Sequence, residues 1–129
     1  MINDFLIINC IGKKEDALGL KIKKNFFIQK IETNINKNKD TLINSIIDFL
    51  HQKKVIVDKN FSIIINMGPG RFSGIRISLS IAKGIKISKG GQIFGYKDSQ
   101  LAKFDLKNIE ILIEKNLLEN KLIKPIYIS

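Results

Sequence analysis

The sequence predicts an α/β fold: a single lobe of order β-β-β-α-β-α-β, followed by a short C-terminal helix and an extended tail. Three observations carry that reading. Short apolar runs at Phe5–Cys10, Ala17–Ile22 and Phe26–Ile31 open the chain, too close together for parallel crossovers. A further run, Phe61–Asn66, leads into the glycine-rich stretch Gly68-Pro69-Gly70-Arg71-Phe72-Ser73-Gly74. A long segment rich in small residues, Ser73–Ser88, follows that stretch.

The first three runs therefore form an antiparallel meander, with turns at Gly12–Glu15 and Lys23–Asn25. After the polar connector Asn34–Lys39, Asp40 or Thr41 caps a helix that runs to about Gln52. Its apolar positions Leu42, Ile43, Ile46, Ile47, Phe49 and Leu50 form a stripe wider than one sheet contact requires. Asp58–Asn60 is a turn before the strand Phe61–Asn66.

Ser73–Ser88 carries two patterns. Ile75, Ile77, Leu79 and Ile81 alternate as in a strand, whereas Gly74, Ser78 and Ala82 recur every fourth residue as a small-residue ridge on a helix. Its length and its place after a glycine turn select the helix. Gly90-Gly91 stops it, and Gln92–Gly95 is a short strand. Asp98 or Ser99 caps a small turn, Asp105 caps a last helix through about Leu118, and Pro125–Ile128 is extended.

At 129 residues the chain suits one domain with one core, and 44% hydrophobic with 26% charged residues is the balance of a soluble globular protein. The formal net charge of +10 raises the question of nucleic acid. The lysines read as scattered, with pairs only at Lys13-Lys14, Lys23-Lys24 and Lys53-Lys54, and no aromatic platform is interleaved with them. They are expected to form a solvated face. The single cysteine, Cys10, excludes an internal disulfide, and no Cys/His cluster suits zinc. No apolar run approaches the ~20 residues that span a bilayer, and no basic n-region precedes Phe5, so the expectation is a cytoplasmic protein without membrane partners.

The basic residues are 22 in number, and only Arg71 and Arg76 among them are arginines, both in or beside the glycine stretch. Arginine's planar fork bonds bidentately where lysine cannot. The stretch Gly68-Pro69-Gly70-Arg71-Phe72-Ser73-Gly74-Ile75-Arg76-Ile77-Ser78-Leu79-Ser80-Ile81-Ala82-Lys83-Gly84 resembles the segment G-P-G-S-F-T-G-L-R-I-G-L-x-x-A-K-G of the TsaB (YeaZ) family. The order of elements agrees over residues 5–104, and Pro125-Ile126-Tyr127-Ile128-Ser129 is similar to the family's P-x-Y-x-R ending, with Ser129 in place of arginine.

The resemblance implies an actin/Hsp70/sugar-kinase-type lobe over residues 1–104, with 105–129 as a remnant helix and tail of a largely missing second lobe. It also implies a non-catalytic paralogue that supports a TsaD-like threonylcarbamoyltransferase in making N6-threonylcarbamoyladenosine in tRNA. Further partners so implied are a TsaE-like ATPase and tRNA through the complex alone, while the apolar residues of both helices beyond what one sheet contact needs suggest a second copy when the enzyme is absent. No cofactor is implied. The partner surface would be the two-helix face, placed on Leu42, Ile46, Phe49, Ser73, Gly74, Arg76, Ile77, Ser78, Ile81, Ala82 and Ile85. The chain departs from the family at Ile8-Asn9-Cys10-Ile11, where the usual I-D-T-S turn has its acid.

The alternative is a residual phosphate- or nucleotide-binding module, in which Gly68, Gly70 and Gly74 open a helix N-terminus to an anion. The glycines also have a purely structural use, in a sharp turn and close helix packing. His51 reads as a group near the end of a helix, and Cys10 as a small apolar side chain. Glu15, Asp16, Asp40, Asp48, Asp58 and Asp98 have no spacing that suggests paired acid–base work.

Overall fold

The computed structural model describes residues 2–12, 16–31, 39–70, 72–116 and 118–119. Strands β1 (Phe5–Asn9), β2 (Ala17–Ile22) and β3 (Asn25–Lys30) form the meander, and helix α1 (Lys39–Gln52) leads to β4 (Ser62–Asn66). Helix α2 (Phe72–Lys89), strand β5 (Gln92–Tyr96), a 3₁₀ turn at Asp98–Gln100 and helix α3 (Leu106–Glu114) follow. The ambiguous segment after the glycine stretch is thus a helix. This is the mixed α/β lobe that the sequence predicts.

The sheet has five strands in the order β3-β2-β1-β4-β5. β1 pairs antiparallel with β2, and β2 with β3, whereas β1–β4 and β4–β5 are parallel. Both crossovers, β3–α1–β4 and β4–α2–β5, move across the sheet in the same direction. Right-handed connection therefore places α1 and α2 on one face.

That face holds Leu6, Ile8, Cys10, Leu18, Leu20, Ile63 and Ile65 against Leu42, Ile46 and Phe49 of α1 and Ala82 of α2. The alternate residues Phe5, Ile7, Ile64, Phe94 and Tyr96 point the other way and pack with Ile109 and Leu112 of α3. Two-residue side-chain periodicity is what divides the strands between these clusters. β1 and β4 are buried along their whole length, as covered central strands require, while the edge strand β3 is largely open.

Three local details differ from expectation. α3 ends at Glu114 and not near Leu118, because Asn116 takes a left-handed φ of 56° and Glu119 then pairs with Gly95. The 3₁₀ turn is not capped by Asp98 or Ser99. Lys97 precedes it, the Gln100 carboxamide accepts from the Lys97 N–H, and the Asp98 carboxylate is turned toward Asn66. α1 begins at Lys39, and the side chains of Asp40 and Thr41, like the tail Pro125–Ser129, lie outside the described residues.

Asp105 does cap α3. Its carboxylate accepts from the Asn108 N–H at 2.8 Å, and this backbone bond, with a second from the Asn108 side chain, holds its pKa below the ordinary aspartate value. A depressed folded pKa contributes stability that is present above the unfolded pKa and lost as pH falls through the folded one. Asp105→Ala is expected to lower the melting temperature at neutral pH and to remove this contribution to acid sensitivity, read by thermal melts from neutral pH down through the carboxylate range. An unchanged pH profile would discount the cap.

Candidate functional site

In an open α/β sheet the crevice outside the carboxyl ends of the parallel strands is the default place for a ligand. Here those ends carry polar residues side by side. Asn9 closes β1, Asn66 closes β4 and Tyr96 closes β5, with Asn66 in register with Tyr96. Asn66 is 1% exposed, Tyr96 is fully buried and Asn9 is 9% exposed.

One amide organises the cluster. The Nδ2 of Asn66 donates to Asn9 Oδ1 at 2.6 Å and to Asp98 Oδ1 at 3.1 Å. Its Oδ1 accepts from the Gly68 N–H at 2.8 Å. The Tyr96 hydroxyl donates weakly to Asn9 Oδ1 at 3.4 Å. The Asp98 N–H donates to the Gly68 carbonyl, and the Met67 N–H to that of Tyr96, both at 2.8 Å. Burial first, then the nearby Asp98 and Cys10, push the Tyr96 pKa well above that of free tyrosine. The phenol stays neutral, and it acts as a donor and not as a base.

Asp16, also buried, closes the turn after β1 by accepting from the Ile11 and Gly12 N–H groups at 3.1 and 2.9 Å. The strand ends are thus tied to one another and to the loops that follow them. Sequence reasoning grouped Asp16 and Asp98 with dispersed acids and missed Asn66 and Tyr96. Their shared position as last residues of neighbouring strands was the available signal.

The glycine stretch is fitted against this edge. Gly68 has a φ of 98°, a conformation that favours glycine, and its N–H is taken by Asn66. A Cβ on Gly70 would collide with the Ile11 side chain and lie 2.9 Å from its carbonyl oxygen. One on Gly74 would lie 2.5 Å from the Cys10 carbonyl oxygen. Cys10 and Ile11 are themselves buried. Gly70 and Gly74 therefore admit the end of β1, which gives both glycines a structural use in close packing.

The predicted partner residues divide. Leu42, Ile46, Phe49, Ser78 and Ala82 are at most 6% exposed and pack inside the lobe, so they are corrected to core positions. The small-residue ridge faces inward: Gly74 meets Cys10, Ala82 joins the core, and the Ser78 hydroxyl donates to the Gly74 carbonyl at 2.7 Å. Ile77, Ile81 and Ile85 are half-buried at the helix flanks, and Arg76 is exposed. Arg71 and the side chain of Ser73 lie outside the described residues. A second, unpredicted surface emerges on α2, where Ser80, Lys83, Gly84 and Ile87 are exposed. On α1, Ile47 is 44% exposed.

Two further features lie away from the glycine stretch. A groove of about 720 Å³ runs under α3 at the opposite edge of the sheet, between Phe5, Phe94, Ile113 and Leu118, with Lys21, Glu110 and Glu114 on its walls. Cys10 is buried just beyond the end of β1, whereas His51 is exposed in the last turn of α1, at the other end of the sheet. They form no thiolate–imidazole pair. Among the described residues no group of His, Cys, Asp and Glu suits a metal, and no helix is long and apolar enough to cross a membrane.

No family model matches the sequence, and no curated protein does either. Solved structures do match the fold. One is an uncharacterized protein with similarity to peptidase YEAZ from Pseudomonas aeruginosa, at a TM-score of 0.65 and 17% identity over 77% of this chain and 45% of that one. Another is YeaZ from Pseudomonas aeruginosa, at 0.63 and 15% over 88% of this chain and 50% of that one. The lobe has a YeaZ-like fold. It spans about half the length of those chains.

Contrasting glycine substitutions test the packing. Gly70→Ala and Gly74→Ala force backbone shifts and should each cost about 1–3 kcal/mol in urea unfolding. Gly84, with nothing within 4 Å of an added Cβ, should gain up to about 1 kcal/mol on substitution by alanine. Asn66→Leu strips donors from Asn9 and Asp98 and should cost about 1–3 kcal/mol. Calorimetry with ATP or ADP should show no heat of binding, and a saturable isotherm that Gly70→Ala abolishes would restore the phosphate reading.

Proposed function

We propose that this chain is a non-catalytic, cytoplasmic binding lobe in tRNA N6-threonylcarbamoyladenosine modification. It docks the outward flanks of α1 and α2 on a TsaD-like threonylcarbamoyltransferase. A TsaE-like ATPase is the further partner, and a second copy occupies the same face when the enzyme is absent.

The observation that carries this reading is Gly84. It lies well inside the 18-residue helix α2, exposed, with nothing within 4 Å of an added Cβ. A helix-interior glycine costs about 1 kcal/mol relative to alanine, and no contact among the described residues calls for it. Close approach of a partner backbone from outside does. Ile87, 86% exposed and three residues on, supplies apolar surface near it, with the half-buried Ile77, Ile81 and Ile85 along α2, and Ile47 of α1 is 44% exposed. The YeaZ-like fold and the closed carboxyl edge of the sheet favour a binding role over group transfer. Such a lobe acts by differential affinity: it binds the active conformation of the enzyme better than the inactive one and shifts the population accordingly.

Co-expression with the TsaD-type protein of the same genome tests this. The two should co-elute in size exclusion. Gly84→Leu should abolish co-elution while leaving the isolated lobe as stable as before or more so, and Ile47→Glu should weaken it without unfolding. A lobe that elutes alone beside a folded enzyme would overturn the proposal.

A further inference from the structure

The lysines that read as scattered along the sequence are gathered by the topology at one end of the molecule. In a sheet with parallel β1, β4 and β5, the turn between β2 and β3, the C-termini of α1 and α2, and the loop entering β4 all come to the amino edge of the parallel strands. That edge bears Lys23 and Lys24 in the β2–β3 turn, Lys54 after α1, Lys59 before β4, and Lys86 and Lys89 in the last turn of α2, all exposed.

Backbone contacts tie these segments together. The Lys23 N–H donates to Asp4 Oδ1 at 2.8 Å, and the Asp4 carbonyl accepts from the Ser62 N–H at 3.2 Å. A Cβ on Gly90, just past α2, would meet the Lys59 backbone at 3.3 Å. Lys53 anchors the end of α1 over the sheet, its Nζ lying 4.2 Å from the centre of the Phe27 ring. The acids at this end are few. Asp4 caps the β2–β3 turn, Asp58 accepts from the Asn60 N–H at 2.8 Å, and Glu110 and Glu114 lie on the far face under α3.

A dipole argument covers part of this, because lysines in the last turn of α2 offset the negative helix end. It does not cover Lys23, Lys24 or Lys59, which lie in a β-turn and a loop. From the β2–β3 turn to β4 the spread is about 12 Å at ~4.8 Å per strand, with the helix ends about 10 Å above the sheet. A polyphosphate backbone, carrying one charge per ~1.7 Å of duplex axis, matches a cationic surface of that extent.

We infer that the amino edge of the sheet, with Lys23, Lys24, Lys54, Lys59, Lys86 and Lys89, is a contact surface for the RNA phosphate backbone. Lysine is a point charge without a bidentate fork, so the contact is one of position and not of sequence. An anionic bilayer fits less well. α1 and α2 present their ends and not their flanks here, leaving no amphipathic face to lie in the interface. The surface lies at the helix ends and adjoins the outward flank of α2 at Ile87, between Lys86 and Lys89.

The test compares two variants of equal charge loss. One is Lys24→Gln, Lys59→Gln, Lys86→Gln and Lys89→Gln together, which leaves Lys23 and Lys54 untouched because both have positive φ. The other is Lys30→Gln, Lys97→Gln, Lys103→Gln and Lys107→Gln together, all exposed and away from this edge. Binding of unfractionated tRNA to the isolated lobe is measured against salt concentration. Full contact at four phosphates predicts that the first variant loses about 3 in the slope of log K against log salt, and on the order of tenfold or more in affinity at low salt. The second variant should keep the wild-type slope.

Equal losses in both variants, or no tRNA binding by the wild type, would overturn the inference. So would lysine-dependent binding to phosphatidylserine vesicles in place of tRNA. Co-elution with the transferase is read separately, so failure here leaves the partner proposal standing, and failure there leaves this one standing.

Discussion

The approach of the glycine stretch to the end of β1 is the constraint on which the rest of the structure depends. Gly70 lies against Ile11, and Gly74 against the Cys10 carbonyl, at separations where any side chain would collide. That contact sets the start of α2 over the sheet. From there α2 buries Ala82 among Leu6, Ile8 and Ile65, and α1 packs beside it. A larger residue at either glycine would lift α2 and open the core on that face. Dense interiors leave little room for such displacement.

The same contact decides the character of the carboxyl edge. With Ile11 and Cys10 drawn under the glycine stretch, the strand ends are closed over and their polar groups turn to one another. Asn66 serves as the hub because a carboxamide both donates and accepts, linking Asn9, Asp98 and Gly68 with one side chain. An aspartate at position 9 would set a second carboxylate beside Asp98. Asparagine at that position offers the same acceptor oxygen without the charge. The two ends of the lobe therefore differ in kind. One is tied together by hydrogen bonds made by Asn9, Asn66, Asp98 and Asp16, and the other carries the exposed Lys23, Lys24, Lys54, Lys59, Lys86 and Lys89.

Much of the fold was legible in the sequence. Continuous apolar runs mark β1 and β4 because both faces of those strands are covered. The short gap at Lys23-Lys24 could only be a hairpin, and Asp105 three residues before Asn108 is a cap by spacing alone. Orientation was not legible. The ridge Gly74–Ser78–Ala82 has the pattern of a partner surface, yet the pattern is equally that of a helix pressed on its own sheet, and only the position of β1 distinguishes them. Leu42, Ile46 and Phe49 were assigned outward for the same reason: an apolar stripe specifies that a face is covered, not by what. The Asn9–Asn66–Tyr96 cluster spans 87 residues of sequence, and no local motif connects its members.

By itself the sequence determined which segments are strands and helices, through periodicity, turn chemistry and the glycines at the β4–α2 junction. Those are local properties, written within a few residues of where they act. Only the tertiary structure decided which helix faces are inside, that the glycine stretch holds the chain's own β1 end, and that lysines distant in sequence stand on one edge. The physical reason is common to all three. Burial and charge density depend on which segments meet, and the right-handed crossovers that bring them together are a property of the assembled sheet.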